Sequence, residues 1–186
     1  MVPVSFGVPV RRLNWGCGPC AAAGWINSDI RAGDDIDLPC DIREGLPVAS
    51  NFFDYIVTIH ALQDLPYLDV LPALGELHRV LKPRGVLRIG VPDLDRAIAA
   101  YLGRDTRYFY VPDADAATPG AKLVTQIIWY GSVRTPFTFE FADEWLRKAG
   151  FGDVVRCAYK QTKSPYTDIV ALDNRERETL FIEAVK

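Results

Sequence analysis

The sequence predicts an α/β protein: a mainly parallel seven-stranded sheet with helices on both faces and an antiparallel strand pair at its end. Short apolar runs rich in β-branched and aromatic residues recur along the chain, F-D-Y-I-V-T-I at 53–59 being the strongest. Helical periodicity separates the later runs, which implies parallel strands joined by crossovers. The last two runs have little but loop between them, which implies an antiparallel end.

In order, residues 11–15 read as a first strand that runs into a glycine turn, and W-I-N-S-D-I at 25–30 as a second that ends in acid. Residues 37–42 form a weaker third strand and 53–59 a buried fourth. Between 69 and 82, Leu71, Leu74, Leu77, Val80 and Leu81 fall three or four apart and make one helix face. Asp69 serves as its N-cap, Pro72 stands in its first turn, His78 is structural or solvated, and Pro83-Arg84-Gly85 ends it. V-L-R-I-G-V at 86–91 is the fifth strand, and Pro92-Asp93 opens a helix to about Tyr101 with Asp93 as a plain N-cap.

Residues 103–136 are irregular and aromatic, and read as a lid or substrate-covering segment with one helix near 122–129. Their aromatic side chains are read as packing. Residues 141–149 are helical, and Gly150 stops that helix as a C′ glycine does. Strands at 154–159 and 179–185 close the chain, joined by a long loop through Pro165 and 173–175. Without repeats or a linker, 1–186 reads as a single domain.

The formal charge is −3 and the pI near 5.4, so nothing draws the chain to nucleic acid or an anionic membrane. No apolar stretch approaches the ~20 residues that span a bilayer. The N-terminal M-V-P-V-S-F-G-V-P-V lacks a basic start and does not read as a signal peptide. Cys17, Cys20, Cys40 and Cys157 are too few and scattered for a secreted disulfide scaffold, which points to a cytoplasmic setting.

Function turns on L-N-W-G-C-G-P-C at 13–20 and on the other strand ends. Cys17 and Cys20 have the spacing of a dithiol redox centre, but A-A-A-G-W-I-N-S-D leaves no room for the long helix that would lower the first thiol's pKa. A zinc site from Cys17, Cys20 and Cys40 lacks a second close-spaced pair, so no metal is expected. Gly16-Cys17-Gly18 after an apolar run is also how a nucleotide-binding loop leaves its first strand, although the later glycine of a dehydrogenase loop is missing. Asp29 follows the second strand, Asp41 the third, and His60, Gln63 and Asp64 the fourth. A glycine turn with an acid one strand over is the arrangement for holding a nucleoside, because a carboxylate accepts from vicinal ribose hydroxyls. Asp29 can equally be a turn residue, Asp41 a turn cap, and His60 a packed strand-end histidine.

The runs L-N-W-G-C-G-P, G-W-I-N-S-D-I, D-I-R-E-G-L-P, F-D-Y-I-V-T-I-H-A-L, L-H-R-V-L-K-P-R-G-V-L-R-I and V-P-D-L together resemble a class I S-adenosylmethionine-dependent methyltransferase, most closely the type 11 small-molecule group. The resemblance covers about 11–102, and the tail with L-D-N-R and L-F-I-E-A-V-K fits the group's closing strands. It implies a Rossmann-like fold, S-adenosyl-L-methionine as cofactor and a small-molecule methyl acceptor. It also implies a cofactor site of Asn14, Gly16, Cys17, Gly18, Asp29, Ile30, Asp41, Ile42 and His60. Asp29 would face the ribose, Asp41 and the Ile42 amide the adenine, and His60 the methyl group. His60 is the first candidate for a catalytic base and Asp64 the second. Two positions depart from the family pattern. H-A-L-Q-D stands where relatives commonly read H-V-L-E-H, and Arg84 replaces the second glycine of K-P-G-G. The first departure keeps open an alternative, a catalytically degenerate cofactor-binding or interaction module.

Overall fold

The computed structural model describes residues 10–186, so the expectation for the N-terminal segment falls almost wholly outside the described residues. The sheet has seven strands: β1 (Arg12–Trp15), β2 (Ile26–Asp29), β3 (Leu38–Pro39), β4 (Phe53–Ile59), β5 (Leu81–Pro92), β6 (Gly152–Cys157) and β7 (Thr179–Val185). Their spatial order is β3-β2-β1-β4-β5-β7-β6. The first five strands pair in parallel, while β7 is antiparallel to both neighbours. The chain therefore moves outward from β1 to β3, returns to the far side of β1 at β4, and moves the other way. That reversal leaves a crevice beyond the carboxyl ends of β1 and β4.

The α-helices are α1 (Tyr67–Val80), α2 (Leu94–Leu102), α3 (Pro119–Ile128) and α4 (Phe139–Lys148). None among the described residues is long and apolar enough to cross a membrane. Helix α1 starts ahead of Asp69, which lies in the first turn rather than at the cap, where its charge suits the helix dipole. The helix ends at Val80, and Leu81 enters β5 at once by pairing with Phe53. The Pro83-Arg84-Gly85 stop is thus a bulge inside a longer strand: the register passes from Phe53–Leu81 to Tyr55–Val86. Arg84 adopts φ +66°, a left-handed conformation that glycine takes without strain. Asp93 does cap α2, accepting from Arg96 N at 3.1 Å, and Gly150 takes φ +101° past the end of α4. His78 is structural: its ring lies edge-on to Phe151 and against Gly150.

Cover on the two faces is unequal. Strand alternation sends Ile56, Leu87, Ile89 and Val91 into one core with Val70, Leu74 and Leu77 of α1 and Leu146 of α4. Tyr55, Val57 and Val86 point to the other face, where Trp25 and Ile169 cover them. Ile169 belongs to a short 3-10 helix, Thr167–Val170, within the β6–β7 loop. That loop is pinned by the fully buried Arg88 of β5. Its Nε and Nη2 donate to Asp173 at 2.7 and 2.6 Å, and Nη1 donates to Glu183 of β7 at 2.7 Å. Asp173 also accepts from Lys160 N at 2.9 Å, and Glu183 from Thr162 Oγ1 at 2.6 Å and Lys163 N at 3.0 Å. Buried charges persist where they are paired and hydrogen-bonded in this way.

Asp173→Ala removes the two-pronged partner of Arg88, leaving Glu183 as its one carboxylate, and is expected to cost about 3–5 kcal/mol in urea denaturation; a loss under 1 kcal/mol would show the network to be dispensable. Arg84→Gly relieves a left-handed arginine and is expected to add about 0.5–1 kcal/mol, read as a higher melting temperature.

Candidate functional site

A cleft of about 760 Å³ opens at the crevice, within the ~300–1,000 Å³ usual for small-molecule sites. Every predicted site residue stands in its wall: Asn14, Gly16, Cys17 and Gly18 beyond β1, Asp29 and Ile30 beyond β2, Asp41 and Ile42 beyond β3, His60 and Asp64 beyond β4. Two other strand-end residues do not. Asp93 is buried beneath α2 and paired with Arg156 at 2.5 Å. Gln63 is also buried and lines a separate void of about 20 Å³, although its Nε2 reaches back to Asp64 Oδ1 at 3.2 Å.

The turn after β1 is braced from within. Gly16 N and Cys17 N donate to Ser28 O at 2.8 and 3.1 Å. Gly18 N donates to Asp29 Oδ2 at 2.8 Å, and Arg31 N to the other oxygen at 3.0 Å. Asp29 is thus a turn brace and a cleft residue at once, with one lone pair left on each oxygen. Gly16 has φ +67°, and a β-carbon there would lie 2.3 Å from Ala61 Cβ, so only glycine lets β1 and β4 meet at this point. Gly18 has φ +52°, and a β-carbon on it would meet nothing within 4 Å. Its open side lies at the cleft wall.

No α-helix lies between β1 and β2. Buried Asn14 holds the loop instead, donating to Cys20 O and Asn27 Oδ1, each at 3.1 Å. Asn27 exchanges hydrogen bonds with Ala22, accepting from its N at 2.9 Å and donating to its O at 3.1 Å. Asn14 is therefore engaged with the loop, and Asn27 is a support that no local pattern marked.

Asp41 caps a short 3-10 helix, Ile42–Glu44, by accepting from Arg43 N at 3.0 Å. The Arg43 fork grips the same carboxylate, Nε to Oδ1 at 2.9 Å and Nη2 to Oδ2 at 2.5 Å. That grip holds the Asp41 carboxyl below the usual carboxylate range.

His60 takes φ +55° at the end of β4, its N bonded to Gly90 O at 2.7 Å. Its Nε2 lies 3.0 Å from Thr179 Oγ1, whose hydroxyl donates to Arg175 O at 2.9 Å. The hydroxyl has one proton, so His60 carries its own on Nε2 and keeps Nδ1 as an acceptor. Burial, helped by the charge of Arg175, lowers its pKa to about 4. Asp64 moves the other way: desolvation at the cleft mouth pushes its carboxyl up although the residue meets solvent. Burial and then the charge of Asp29 push the Cys17 thiol up, and only turns follow it, which opposes a redox role.

Four arginines in the wall escaped the sequence reading: Arg31, Arg43, Arg134 and Arg175. Arg43 was signalled only by its place beside Asp41. Arg134 and Arg175 arrive from loops distant in sequence, and no local pattern marks them.

With a folded-state pKa near 4 against about 6.5 unfolded, His60 favours folding above pH 6.5, and this contribution fades as pH falls toward 4. His60→Asn tolerates the left-handed backbone and does not titrate. The wild-type advantage over it in thermal melts is therefore expected to shrink between pH 7 and 4.5; a constant difference would contradict the burial of the imidazole.

A family model described as a methyltransferase domain matches residues 26–89, from β2 into β5. Among solved structures, an S-adenosylmethionine-dependent methyltransferase from Mesorhizobium loti superposes with a TM-score of 0.55 at 15% identity, covering 96% of this chain and 94% of its own. One from Archaeoglobus fulgidus gives 0.54 at 16% identity, covering 95% and 86%. One from Thermotoga maritima gives 0.55 at 19%, covering 96% and 83%. No curated protein matches. These findings bear out the resemblance to the class I methyltransferases: the chain has their fold, and its β2–β5 segment has their sequence pattern.

Proposed function

We propose that the chain binds S-adenosyl-L-methionine in this cleft and transfers its methyl group to a small-molecule acceptor. The observation that carries the proposal is the state of the three amides at 16–18. All donate within the protein, two to Ser28 O and one to Asp29. Dinucleotide-binding turns keep such amides for a pyrophosphate. Here the turn offers no anion nest, only a close backbone edge, which suits a nucleoside whose tail carries no phosphate. The family match agrees with this choice.

The cofactor supplies an electrophilic methyl on a sulfonium. Gly16, Cys17 and Gly18 would pass their backbone along it, the open side of Gly18 giving the room. The free lone pairs of Asp29 would accept from the ribose hydroxyls. Asp41 and the Ile42 amide would face the base, with Asn14 and Ile30 completing the wall. Residues 103–136 would cover the acceptor through their Arg134 end and exclude water. If the acceptor loses a proton, Asp64 is the better-placed base, because it lines the cleft and meets solvent while the His60 imidazole is buried against Thr179 with its pKa lowered to about 4. His60 then positions the acceptor. The free cysteines fit a reducing, cytoplasmic setting.

A second reading, a cofactor-binding module without turnover, is favoured by the engagement of His60 with Thr179 and the burial of Gln63. It predicts binding of S-adenosylhomocysteine and no turnover on any acceptor panel.

Calorimetry decides the cofactor. S-adenosylhomocysteine should bind and NAD should not, and Gly18→Ala should weaken S-adenosylhomocysteine at least about tenfold, or 1.4 kcal/mol. Binding of NAD instead, or an unaffected Gly18→Ala, would remove the basis for this site.

A further inference from the structure

We infer that the methyl acceptor carries an anionic group, a carboxylate or phosphate, held between Arg134 and Arg175 at the His60–Asp64 end of the cleft. This rests on the methyltransferase reading and extends it to the acceptor.

The charges in the wall do not balance. Arg43 and Asp41 neutralise each other, and Asp29 and Arg31 stand together beyond β2. What remains beyond β4 is Asp64 against two guanidiniums. Arg134 has no carboxylate within 4.0 Å among the described residues, and Arg175 has only Glu178, at 3.4 Å. Several other arginines of the fold are matched more closely: Arg79 to Glu76 at 2.7 Å, Arg88 to Asp173 at 2.6 Å, Arg147 to Asp143 at 2.9 Å and Arg156 to Asp93 at 2.5 Å. In a chain of net charge −3, under-compensated cations converging on one end of a cleft are a local feature.

Both arginines rise from fixed backbone. Arg134 N and Thr135 N donate to Gln63 O at 2.9 and 3.0 Å, and Thr135 Oγ1 donates to Leu65 O at 2.8 Å. These bonds lock the Arg134 loop to the segment that carries Asp64. On the other side Arg175 sits at φ +51°, its carbonyl taking the Thr179 hydroxyl that also meets His60. Two non-glycine residues in the left-handed region, His60 and Arg175, are thus tied through one hydroxyl. Such residues are strained and persist where their surroundings over-determine them, as at ligand clamps. A guanidinium is a planar fork that matches the oxygens of a carboxylate or phosphate. An anion seated there would also offset the Arg175 charge that acts on His60.

The test uses the whole chain saturated with S-adenosylhomocysteine, titrated with inorganic phosphate, benzoate and, as a neutral match, benzyl alcohol. At least one anion is expected to bind and the alcohol not to; the preferred anion tells phosphate from carboxylate. In Arg134→Gln and in Arg175→Gln the anion should weaken at least about tenfold, Arg→Lys at the same positions should recover part of it, and S-adenosylhomocysteine affinity should hold, which also shows that the variants fold. Anions binding no better than the alcohol would overturn the acceptor assignment while leaving the cofactor site standing. Loss of S-adenosylhomocysteine affinity in both Gln variants, with native thermal melts, would give the arginines to the cofactor's own carboxylate and overturn it too. Failure of the wild-type chain to bind S-adenosylhomocysteine would sink the methyltransferase reading itself.

Discussion

The hydrogen bond between Asn14 and Asn27 holds the functional end of the sheet together. The β1–β2 connection has no helix to satisfy its backbone or fix its path. Two buried amides do this work from the strands, reaching Cys20 O and both polar groups of Ala22. An unpaired buried amide costs more than its hydrogen bond returns, so each asparagine is acceptable only because the other and the loop complete it. With the loop so held, Gly16 can press against Ala61 and Gly18 can meet Asp29, and the wall of the cleft follows.

The same economy appears on the face without α-helices. A loop covers Tyr55, Val57 and Val86, and polar side chains from the strands replace the regular hydrogen bonds a helix would have brought. Arg88, Glu183 and Asp173 form the anchor. Asp173 is followed directly by Asn174 and Arg175 on the rim of the cleft. Fold and site are thus coupled: the charge network that closes one face of the sheet also aims the residue that faces His60.

Much of this was legible. The strand at 53–59 appears with the bounds its composition implied, because a largely buried central strand is rich in β-branched and aromatic residues. The strand at 179–185 does too. The edge strand β3 is shorter than expected, only Leu38–Pro39, since edge residues pair on one side alone, while the other edge strand, β6, keeps its expected length but starts earlier, at Gly152. The start of α1 was misplaced because Pro66 begins it without a side-chain cap, so no cap residue marked it. K-P-R-G misled for a different reason. A proline and a glycine signal a break in local geometry, but whether that break ends a helix or bulges a strand depends on the partner strand, here Phe53 and Tyr55.

The sequence by itself determined the alternation of strands and helices, the glycine turn and the carboxylates at the strand ends, because these depend on backbone freedom and side-chain period within a few residues. It also left Asp29 and Asp41 with two readings each; in the fold each braces a turn, and each also lines the cleft. Only the tertiary structure decided that the amides of the turn are already spent, that His60 is buried neutral against Thr179, and that Arg134 and Arg175 flank it. The first depends on two neighbouring strand ends meeting and the others on chain segments seventy or more residues apart meeting in space, and hydrogen bonding and desolvation act on proximity, which a linear pattern does not encode.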